Sequence, residues 1–239
     1  MEIFARSELL LGEKAMERLQ KAHVAVFGVG GVGAACCEAL CRGGVGTLTF
    51  FDPDAVSHTN INRQLVALHS TVGKNKAEVM KERALDINPN AHVIVHPIFY
   101  SAENAVDFPL ADYDFVVDCI DTVSSKLLLI ETAHRQNVPI ISALGAGNKQ
   151  DPTLFRVADI FDTKVCPLAR MLRSKLKKMG ITHHLTVYSE EVPMEPITPL
   201  EENGRHLPGS LSFVPPVMGM ILAGEVIKRL ISAPENSQI

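Results

Sequence analysis

Short apolar runs recur through the first 150 residues of the chain, and longer segments of mixed polarity separate them. The runs are five to seven residues long and contain many β-branched residues. Such runs are typical of strands that are buried on both faces of a parallel sheet. We therefore predict strands at residues 23–27, 47–51, 92–98, 115–119 and 138–142.

The segments between these runs have the spacing of apolar residues that is typical of helices. The segment at 74–87 ends at Asn88, because the residue before Pro89 avoids helical backbone angles. Gly219 and Gly224 interrupt the last segment, where they would let another backbone pack closely. The predicted helices are 7–20, 31–42, 74–87, 124–137 and 216–231.

An α/β fold follows from the alternation of these strands and helices. Strands that alternate with helices of about 10 to 15 residues are joined by right-handed crossovers, which build a mostly parallel sheet. We expect a Rossmann-like, doubly wound sheet with a C-terminal extension. The first predicted helix offers an apolar face made of Leu9, Leu10, Ala15, Met16 and Leu19.

The composition changes after Gly147. Residues 163–189 contain no acidic residue but hold eight Lys, Arg and His residues, whereas residues 190–208 are rich in Glu and Pro. The second stretch predicts a mobile loop, at 190–209. We expect a single domain over 1–239, with a nucleotide-binding half at 1–150 and a substrate and dimer half at 151–239.

The overall composition is that of an ordinary globular protein, with 46% hydrophobic and 21% charged residues. A net charge of −4 excludes a surface that is basic all over, although it allows a local basic patch. The five cysteines are odd in number and do not form a disulfide framework, which favours a reducing compartment. The amino terminus lacks the pattern of a signal peptide. We expect a cytoplasmic protein.

A glycine-rich loop joins the first predicted strand to the first crossover helix. Its glycines allow a tight turn and let backbone N–H groups approach phosphate oxygens. Asp52 ends the second strand, where a carboxylate accepts hydrogen bonds from ribose hydroxyls. The loop and Asp52 predict an adenosine nucleotide but do not separate ATP from a nicotinamide cofactor. The glycines are Gly28, Gly30, Gly31 and Gly33.

The residues that follow Asp52 favour ATP. Arg63 and Lys76 offer cationic donors to a polyphosphate, which attack at phosphorus requires and hydride transfer does not. Asp121 follows the strand at 115–119 and falls at the same rim, that is, the edge formed by the carboxyl ends of the strands. A carboxylate there could hold the Mg²⁺ that accompanies ATP. Taken alone, Lys76 is also typical of a solvated helix residue, and Asp121 could cap the helix at 124–137.

These residues resemble the ATP-dependent, ubiquitin-activating-like adenylating enzymes of the ThiF/MoeB/HesA type. The resemblance implies a homodimer that binds ATP and Mg²⁺ and adenylates a carboxylate. Arg6 would reach into the partner's active site, where it would act with Arg63, Lys76 and Asp121. The matching positions are Arg6, the glycine loop, Asp52, Asp54, Asn60, Asn62, Arg63, Gln64, Lys76 and residues 118–121.

The second half resembles the tRNA threonylcarbamoyladenosine dehydratases within this family. The matching segments are 142–153, 159–160, 163, 167–170 and 187–191. The resemblance implies that the threonyl carboxylate of N6-threonylcarbamoyladenosine in tRNA is adenylated and then closes a ring with loss of water. One departure is Cys166, where some relatives carry Asp, and a catalytic role for this cysteine is less favoured than an unreactive one.

The resemblance leaves other functions open. An adenylyltransferase that activates the C-terminal carboxylate of a ubiquitin-like sulfur carrier would use the same nucleotide residues. Such enzymes usually carry two Cys-x-x-Cys pairs for zinc, which this chain lacks; we therefore expect no zinc site. Cys36, Cys37 and Cys41 lie on one helix, and their spacing favours core packing over a metal site. An NAD-dependent oxidoreductase and a nucleotide-dependent scaffold are further rivals.

The basic stretch at 163–189 contains a candidate RNA-binding helix. Leu168, Leu172, Leu176 and Met179 can line one face of this helix, while a row of cations projects from another. Such a row can follow a phosphate backbone, although a merely solvated face is the alternative. We expect His183 and His184 at the surface. The cations of the row are Arg170, Arg173 and Lys177.

The family resemblance carries two further expectations. One is a monovalent cation, Na⁺ or K⁺, as a cofactor beside ATP and Mg²⁺. The other is a set of partner proteins, namely a cysteine desulfurase or a sulfur acceptor, in addition to the tRNA and the second subunit. No membrane partner is expected.

Overall fold

The strands of the first half lie where the apolar runs predict them. The computed structural model describes residues 2–198, 201–202 and 205–232. Its strands are β1 (His23–Phe27), β2 (Thr47–Phe51), β3 (His92–His96), β4 (Phe115–Asp118), β5 (Ile140–Ala143), β6 (Phe155–Asp159), β7 (Leu185–Ser189), β8 (Glu201–Glu202) and β9 (Arg205–His206).

Within the described residues, seven of these strands form one sheet with the order β3-β2-β1-β4-β5-β7-β6. All neighbours pair in parallel except β6, which runs antiparallel to β7 at the edge. The Rossmann-like prediction is thus confirmed. β3 is shorter than predicted because Pro97 follows it and cannot donate to the ladder, and β5 begins only after Pro139.

The helices cover both faces of this sheet. The predicted helix at 7–20 is in fact two helices, because Gly12 adopts a φ of +82° between them. The helices are α1 (Ala5–Leu11), α2 (Glu13–Lys21), α3 (Gly33–Arg42), α4 (Lys76–Ile87), α5 (Val123–Arg135), α6 (Pro167–Lys178) and α7 (Val214–Ser232). Short 3₁₀ turns lie at Glu2–Phe4, His58–Asn60, His69–Thr71, Ala105–Asp107, Leu110–Asp112, Pro152–Leu154 and Ile160–Asp162.

Side chains of β1 alternate between two hydrophobic cores. Val24 and Val26 point into a core that α2, α3, α4 and α7 cover. Ala25 and Phe27 point into a second core beneath α5 and α6. This alternation is the period-2 geometry of a strand, and it explains why the strand reads as continuously apolar.

The two glycines of α7 behave differently. A Cβ atom on Gly219 would overlap the carbonyl oxygen of Val32, so this glycine lets α7 pack tightly on α3, as predicted. Gly224 has nothing within 4 Å of the place where its Cβ would lie, so the prediction of close packing there is wrong.

The predicted mobile loop at 190–209 contains the short antiparallel pair β8 and β9. Pro199, one of the prolines behind that prediction, lies outside the described residues. Elsewhere in this loop, Met194 N donates to the carbonyl oxygen of Asn148 over 2.8 Å, which ties the loop to the segment after β5.

A membrane-spanning helix would have to be both long and strongly apolar, and no helix within the described residues meets both conditions.

Candidate active site

The carboxyl ends of the parallel strands meet along one edge of the sheet, and most of the predicted site residues lie there. The glycine loop follows β1, Asp52 follows β2, and the 119–121 segment follows β4. β2 and β4 flank β1 on opposite sides, while α3 and α5 cover opposite faces of the sheet. A crevice opens outside the strand ends at such a reversal, and α/β proteins bind ligands in it.

Two glycines of the loop are required by backbone packing. Gly28 has a φ of +91°, and a Cβ atom there would lie 2.7 Å from the carbonyl oxygen of Cys119. A Cβ atom on Gly33 would overlap the carbonyl oxygen of Gly28. These two residues therefore let the loop turn closely against the end of β4.

The other two glycines face the predicted ligand-binding residues. A Cβ atom on Gly30 would find only Gln64 Nε2, at 3.8 Å, while on Gly31 it would lie 3.6 Å from Arg63 Cγ. Arg63 and Gln64 thus lie against the glycine loop, as a shared phosphate site requires. Gln64 Oε1 is buried and has no hydrogen-bond partner among the described residues, which leaves an acceptor for a ligand.

Asp52 ties the end of β2 to the glycine loop. Its Oδ2 accepts a hydrogen bond from Val29 N at 2.6 Å, and its Oδ1 accepts one from Asp54 N at 2.9 Å. Burial raises the pKa of the Asp52 carboxyl, although the hydrogen bond from Val29 and the charge of Lys76 oppose this shift. Because each oxygen keeps a second lone pair, the carboxylate can still accept a ribose hydroxyl.

Lys76 is buried at the start of α4, with 6% of its surface exposed. Its Nζ lies 2.8 Å from Asp54 Oδ2, and the Asp54 side chain is mostly exposed. The alternative of a solvated lysine is therefore wrong. Asn75 caps α4 and also donates to the carbonyl oxygen of Asp52 at 3.0 Å, so that the helix start is fixed to the rim.

The two predicted asparagines hold the segment that carries Arg63. Asn60 Oδ1 accepts a hydrogen bond from Ser57 N at 3.2 Å, which closes the turn. Asn62 Oδ1 accepts one from Arg63 Nη1 at 3.0 Å, and Asn62 Nδ2 donates to the carbonyl oxygen of Ser210. Their observed role is to position this segment.

Asp121 lies at the rim with its carboxylate exposed. Its only described polar contact is a 3.4 Å hydrogen bond from Thr122 Oγ1. The helix α5 has Thr122 as its N-cap, without a side-chain cap, so the alternative in which Asp121 caps this helix is wrong. The carboxylate is therefore open to the crevice.

The donor set at the rim fits a magnesium ion that arrives with a nucleotide. No group of three or more His, Cys, Asp and Glu side chains in the described part of the chain could hold a metal. Mg²⁺ commonly binds through one or two carboxylates, with substrate phosphates and water supplying the other ligands. Asp121 is an exposed carboxylate that could take this part.

The segment after β5 contributes residues to which the sequence assigned no role. Lys149 is buried, its Nζ donates to the carbonyl oxygen of Glu191, and burial lowers its pKa. The Glu191 carboxylate accepts hydrogen bonds from Gln150 N and Asp151 N at 2.9 Å and 3.0 Å. Asn148 Oδ1 accepts one from Gly209 N at 2.6 Å. The sequence signal for these residues is the run 145–151, which lies within the segment 142–153 that resembles the dehydratases.

Arg6 does not join the other predicted residues. It is exposed on α1, next to Phe4, whose ring lies 3.6 Å from where a Cβ on Gly44 would be. Gly44 precedes β2, so α1 lies at the amino ends of the strands. The glycine loop lies at the other end of strands about 16 Å long.

The cysteines are buried or partly buried. Cys36, Cys37 and Cys41 are packed in the core on α3, as predicted. Burial raises the pKa of the Cys119 thiol to about 12, which excludes a ready thiolate beside Asp121. Cys166 is buried where α6 begins.

The basic helix is present as α6, and its apolar side packs on the core through Ala169, Leu172 and Leu176. Arg170 and Lys177 are exposed. Arg173 does not project as predicted, because its Nη1 donates to the carbonyl oxygens of Ile160 and Thr163.

The two neighbouring histidines separate. His183 is exposed, as predicted, whereas His184 is buried with 1% of its surface exposed, so its predicted surface position is wrong. His184 precedes β7, and its Nε2 lies 2.8 Å from Ser142 Oγ in the interior.

Comparison with known proteins gives one consistent result. Residues 4–239 match the ThiF family. The chain is 40% identical over 247 aligned residues to the tRNA threonylcarbamoyladenosine dehydratase of Bacillus subtilis (strain 168), and the alignment covers 99% of this chain and 97% of that protein.

Solved structures show the same similarity. The crystal structure of the E. coli tRNA N6-threonylcarbamoyladenosine dehydratase, TcdA, in complex with ATP superposes with a TM-score of 0.88 and 34% identity, over 96% of this chain and 94% of that one. Its complex with AMP gives the same TM-score and coverage, with 35% identity.

Two alanine substitutions test whether packing requires Gly33 but not Gly30. Gly33→Ala should lower the free energy of unfolding by about 1–3 kcal/mol or more, because its Cβ would overlap the Gly28 carbonyl. Gly30→Ala has open space and should change that free energy by less than about 0.5 kcal/mol. Urea unfolding measures both.

The Gly30→Ala methyl group would nevertheless occupy the space where phosphate oxygens approach the backbone. Its thermal unfolding should therefore lose the stabilisation that ATP with Mg²⁺ gives the unchanged protein. An ATP-dependent shift as large as that of the unchanged protein would show that this loop does not cradle phosphate.

Proposed function

Because the chain belongs to the ThiF family, we propose that it is an ATP-dependent tRNA threonylcarbamoyladenosine dehydratase. The observation that carries this proposal is the similarity to such dehydratases along almost the whole chain, one of them solved with ATP. The position of the glycine loop, Asp52, Arg63, Lys76 and Asp121 near the carboxyl ends of the strands supports the proposal.

The reaction joins two steps. The threonyl carboxylate of the modified adenosine attacks the α-phosphorus of ATP, the bond to pyrophosphate breaks, and an acyl-adenylate forms. A nitrogen or oxygen of the neighbouring carbamoyl group then bonds to the activated carbonyl carbon, gives up its proton, and expels AMP. The sum is the loss of one water from the nucleoside and the conversion of ATP to AMP and pyrophosphate.

The residues of the rim supply positioning and charge. The open backbone at Gly30 and the N-terminus of α3 would receive phosphate oxygens. Arg63 and Lys76 would stabilise the negative charge that develops at the attacked phosphorus, and Asp54 holds Lys76 in place until then. Catalysis on this view comes from orientation and electrostatics, without an enzyme nucleophile.

Asp121 would hold Mg²⁺, which offsets phosphate charge when bound. The protonated state of the buried Cys119 thiol agrees with a reaction that needs no thiolate at this rim. Na⁺ or K⁺ binding, and the cysteine desulfurase or sulfur-acceptor partners, remain predictions from the sequence resemblance.

Incubation with ATP, Mg²⁺ and tRNA that carries N6-threonylcarbamoyladenosine should convert the nucleoside to a product lighter by one water, with one AMP formed for each conversion. Asp121→Asn should lower the rate of AMP formation by about 100-fold or more, because the ion that it holds would offset the phosphate charge. Nucleoside mass spectrometry and AMP measurement read the two results.

Asp112→Asn is a matched control, since Asp112 is exposed and precedes Tyr113, whose ring packs against His23 at the start of β1, the other end of the strands. It should leave the rate unchanged. AMP formation that needs a ubiquitin-like carrier protein instead of the tRNA would support the rival adenylyltransferase and refute the dehydratase.

We also infer that the enzyme is a homodimer in which Arg6 completes the partner's site. Arg6 lies at the amino ends of the strands, so that its own chain cannot use it at the glycine loop. On the same short helix, Leu9 and Leu10, which the sequence pattern assigns to an apolar face, are 85% and 88% exposed. A second chain would cover this apolar surface.

Mixing two inactive variants tests the exchange of Arg6. In heterodimers of Arg6→Ala with Asp121→Ala, one of the two sites keeps both residues, so a 1:1 mixture that exchanges subunits should regain about a quarter of the unchanged activity. Each variant alone should remain inactive. A mixture as inactive as its components would show that Arg6 acts within its own chain or not at all.

We propose that the exposed cations of α6 contact the tRNA backbone. Arg170 and Lys177 lie one heptad apart and have no described acidic partner, and residues 163–189 contain no acidic residue that would repel phosphate. Arg173 is left out of this surface because it holds the 160–163 turn.

Arg170→Glu and Lys177→Glu should each weaken tRNA binding and reduce the slope of log affinity against log salt by about 1, since each removes one phosphate contact. Protection by ATP against thermal unfolding should be unchanged. Lys228→Glu, an exposed cation on α7 across the sheet, is the matched control. If the salt slopes of both variants equal the slope of Lys228→Glu, α6 does not contact the tRNA and is a solvated helix.

A further inference from the structure

A network of hydrogen-bonded polar side chains lies in the protein interior, next to the 119–121 segment. It begins at the half-buried His134 on α5 and passes through His184, the residue before β7, and through β5 to the end of β4. Its inner members have 0–1% of their surface exposed. The members in order are His134, His184, Ser142, Asp118 and Lys126.

The distances join these side chains into one network. His134 Nε2 lies 3.4 Å from His184 Nδ1, and His184 Nε2 lies 2.8 Å from Ser142 Oγ. Ser142 Oγ lies 2.6 Å from Asp118 Oδ2, and Lys126 Nζ lies 2.7 Å from the same oxygen. Lys126 Nζ also donates to the carbonyl oxygen of Ala143 at 3.0 Å.

The chemistry of the groups fixes the direction of each hydrogen bond. Asp118 in an ion pair with Lys126 is a carboxylate and only accepts, so Ser142 must donate to it. The hydroxyl of Ser142 has no second proton, so His184 must donate through Nε2–H. His184 Nδ1 is then an acceptor, and His134 donates to it. All donors therefore point inward to Asp118.

His184 stays neutral in this arrangement. Its surroundings are His134 and Lys126 on α5, the neighbouring His183, and Asp159 at the end of β6, whose Oδ2 accepts from His184 N at 3.1 Å. Burial above all, and then electrostatic interactions with His134, Lys126 and His183, lower its pKa to about 3. A proton on Nδ1 would in any case remove the acceptor for His134.

The network ends at the turn that carries Asp121. Asp118 Oδ1, the oxygen that Lys126 and Ser142 do not use, accepts a hydrogen bond from Ile120 N at 3.1 Å. Asp121 is the next residue, and its own side chain has no other described anchor than Thr122. The orientation of the Asp121 carboxylate thus depends on the carboxylate of Asp118.

We propose that Lys126, Asp118, Ser142 and His184 form a positioning network, which fixes the Ile120–Asp121 backbone and so aims the Asp121 carboxylate into the active site. The proposal rests on the proposed function, because it assigns the network a role in adenylation. A buried ion pair is in general little more stabilising than apolar packing, so stability alone gives a weak reason for such a network.

One test determines the proton position on His184 and needs no activity measurement. Long-range ¹H–¹⁵N spectra should show His184 as the Nε2–H tautomer, with shifts that do not titrate between about pH 5 and 8 because burial holds its pKa far lower. A His184 that titrates in this range, or carries its proton on Nδ1, would overturn the proposed direction of the network.

The second test uses two replacements of His184 that differ in one property. The amide of His184→Gln can donate to Ser142 from the place of Nε2, whereas His184→Leu cannot. His184→Leu should lower kcat for AMP formation by about 10- to 100-fold, with KM for ATP unchanged, and His184→Gln should restore most of it. His183→Gln, at the exposed neighbour, is the matched control.

The possible outcomes distinguish a failure of the positioning role from a failure of the proposed function. Equal kcat in the Gln and Leu variants, or a fall that merely follows the unfolded fraction, would overturn the positioning role. If His184→Leu does not fold, Ser142→Ala breaks the same link with a smaller change, and an unchanged kcat there would overturn it equally. A wild-type protein that forms no AMP, but whose His184 has the expected tautomer, would refute the proposed function and leave the network's arrangement standing.

Discussion

The carbonyl oxygen of Cys119 lies so close to the loop after β1 that a Cβ atom on Gly28 would be 2.7 Å from it. This approach draws the glycine loop against the end of β4, and with it the start of α3. The open backbone at Gly30 and the carboxylate of Asp121 consequently share one crevice. A side chain at Gly28 would push the loop away from the end of β4, and one at Gly33 would push the start of α3 away from the loop.

The sequence alone predicted the strands and helices of the first half because their apolar runs are buried on both faces of the sheet. It did not predict β6 and β7. β6 is an antiparallel edge strand whose Arg156 and Val157 are exposed, so its pattern is not continuously apolar. Gly12 shows another limit: a helical pattern continues through it, but its positive φ ends α1.

The residues of the candidate site were likewise only partly predictable from the sequence. The position of Arg63 and Gln64 against the glycine loop was predictable, because these residues closely follow β2, the strand that neighbours β1. The burial of Lys76 and His184, and the bonds of Arg173 to the 160–163 turn, depend on segments that are distant in sequence. Charge patterns along a chain do not reveal such partners. The net charge of −4 likewise averages over an acid-free stretch and a Glu-rich one.

The packing of α7 has a consequence for how the protein forms. Gly219 lets this helix lie directly on α3, and Pro215 at its start comes 3.1 Å from where a Cβ on Gly31 would be. The glycine loop is therefore completed by a helix that follows all the strands of the sheet in the chain. During synthesis, the glycine loop leaves the ribosome long before α7, so it can meet Pro215 only after the strands of the sheet have been made.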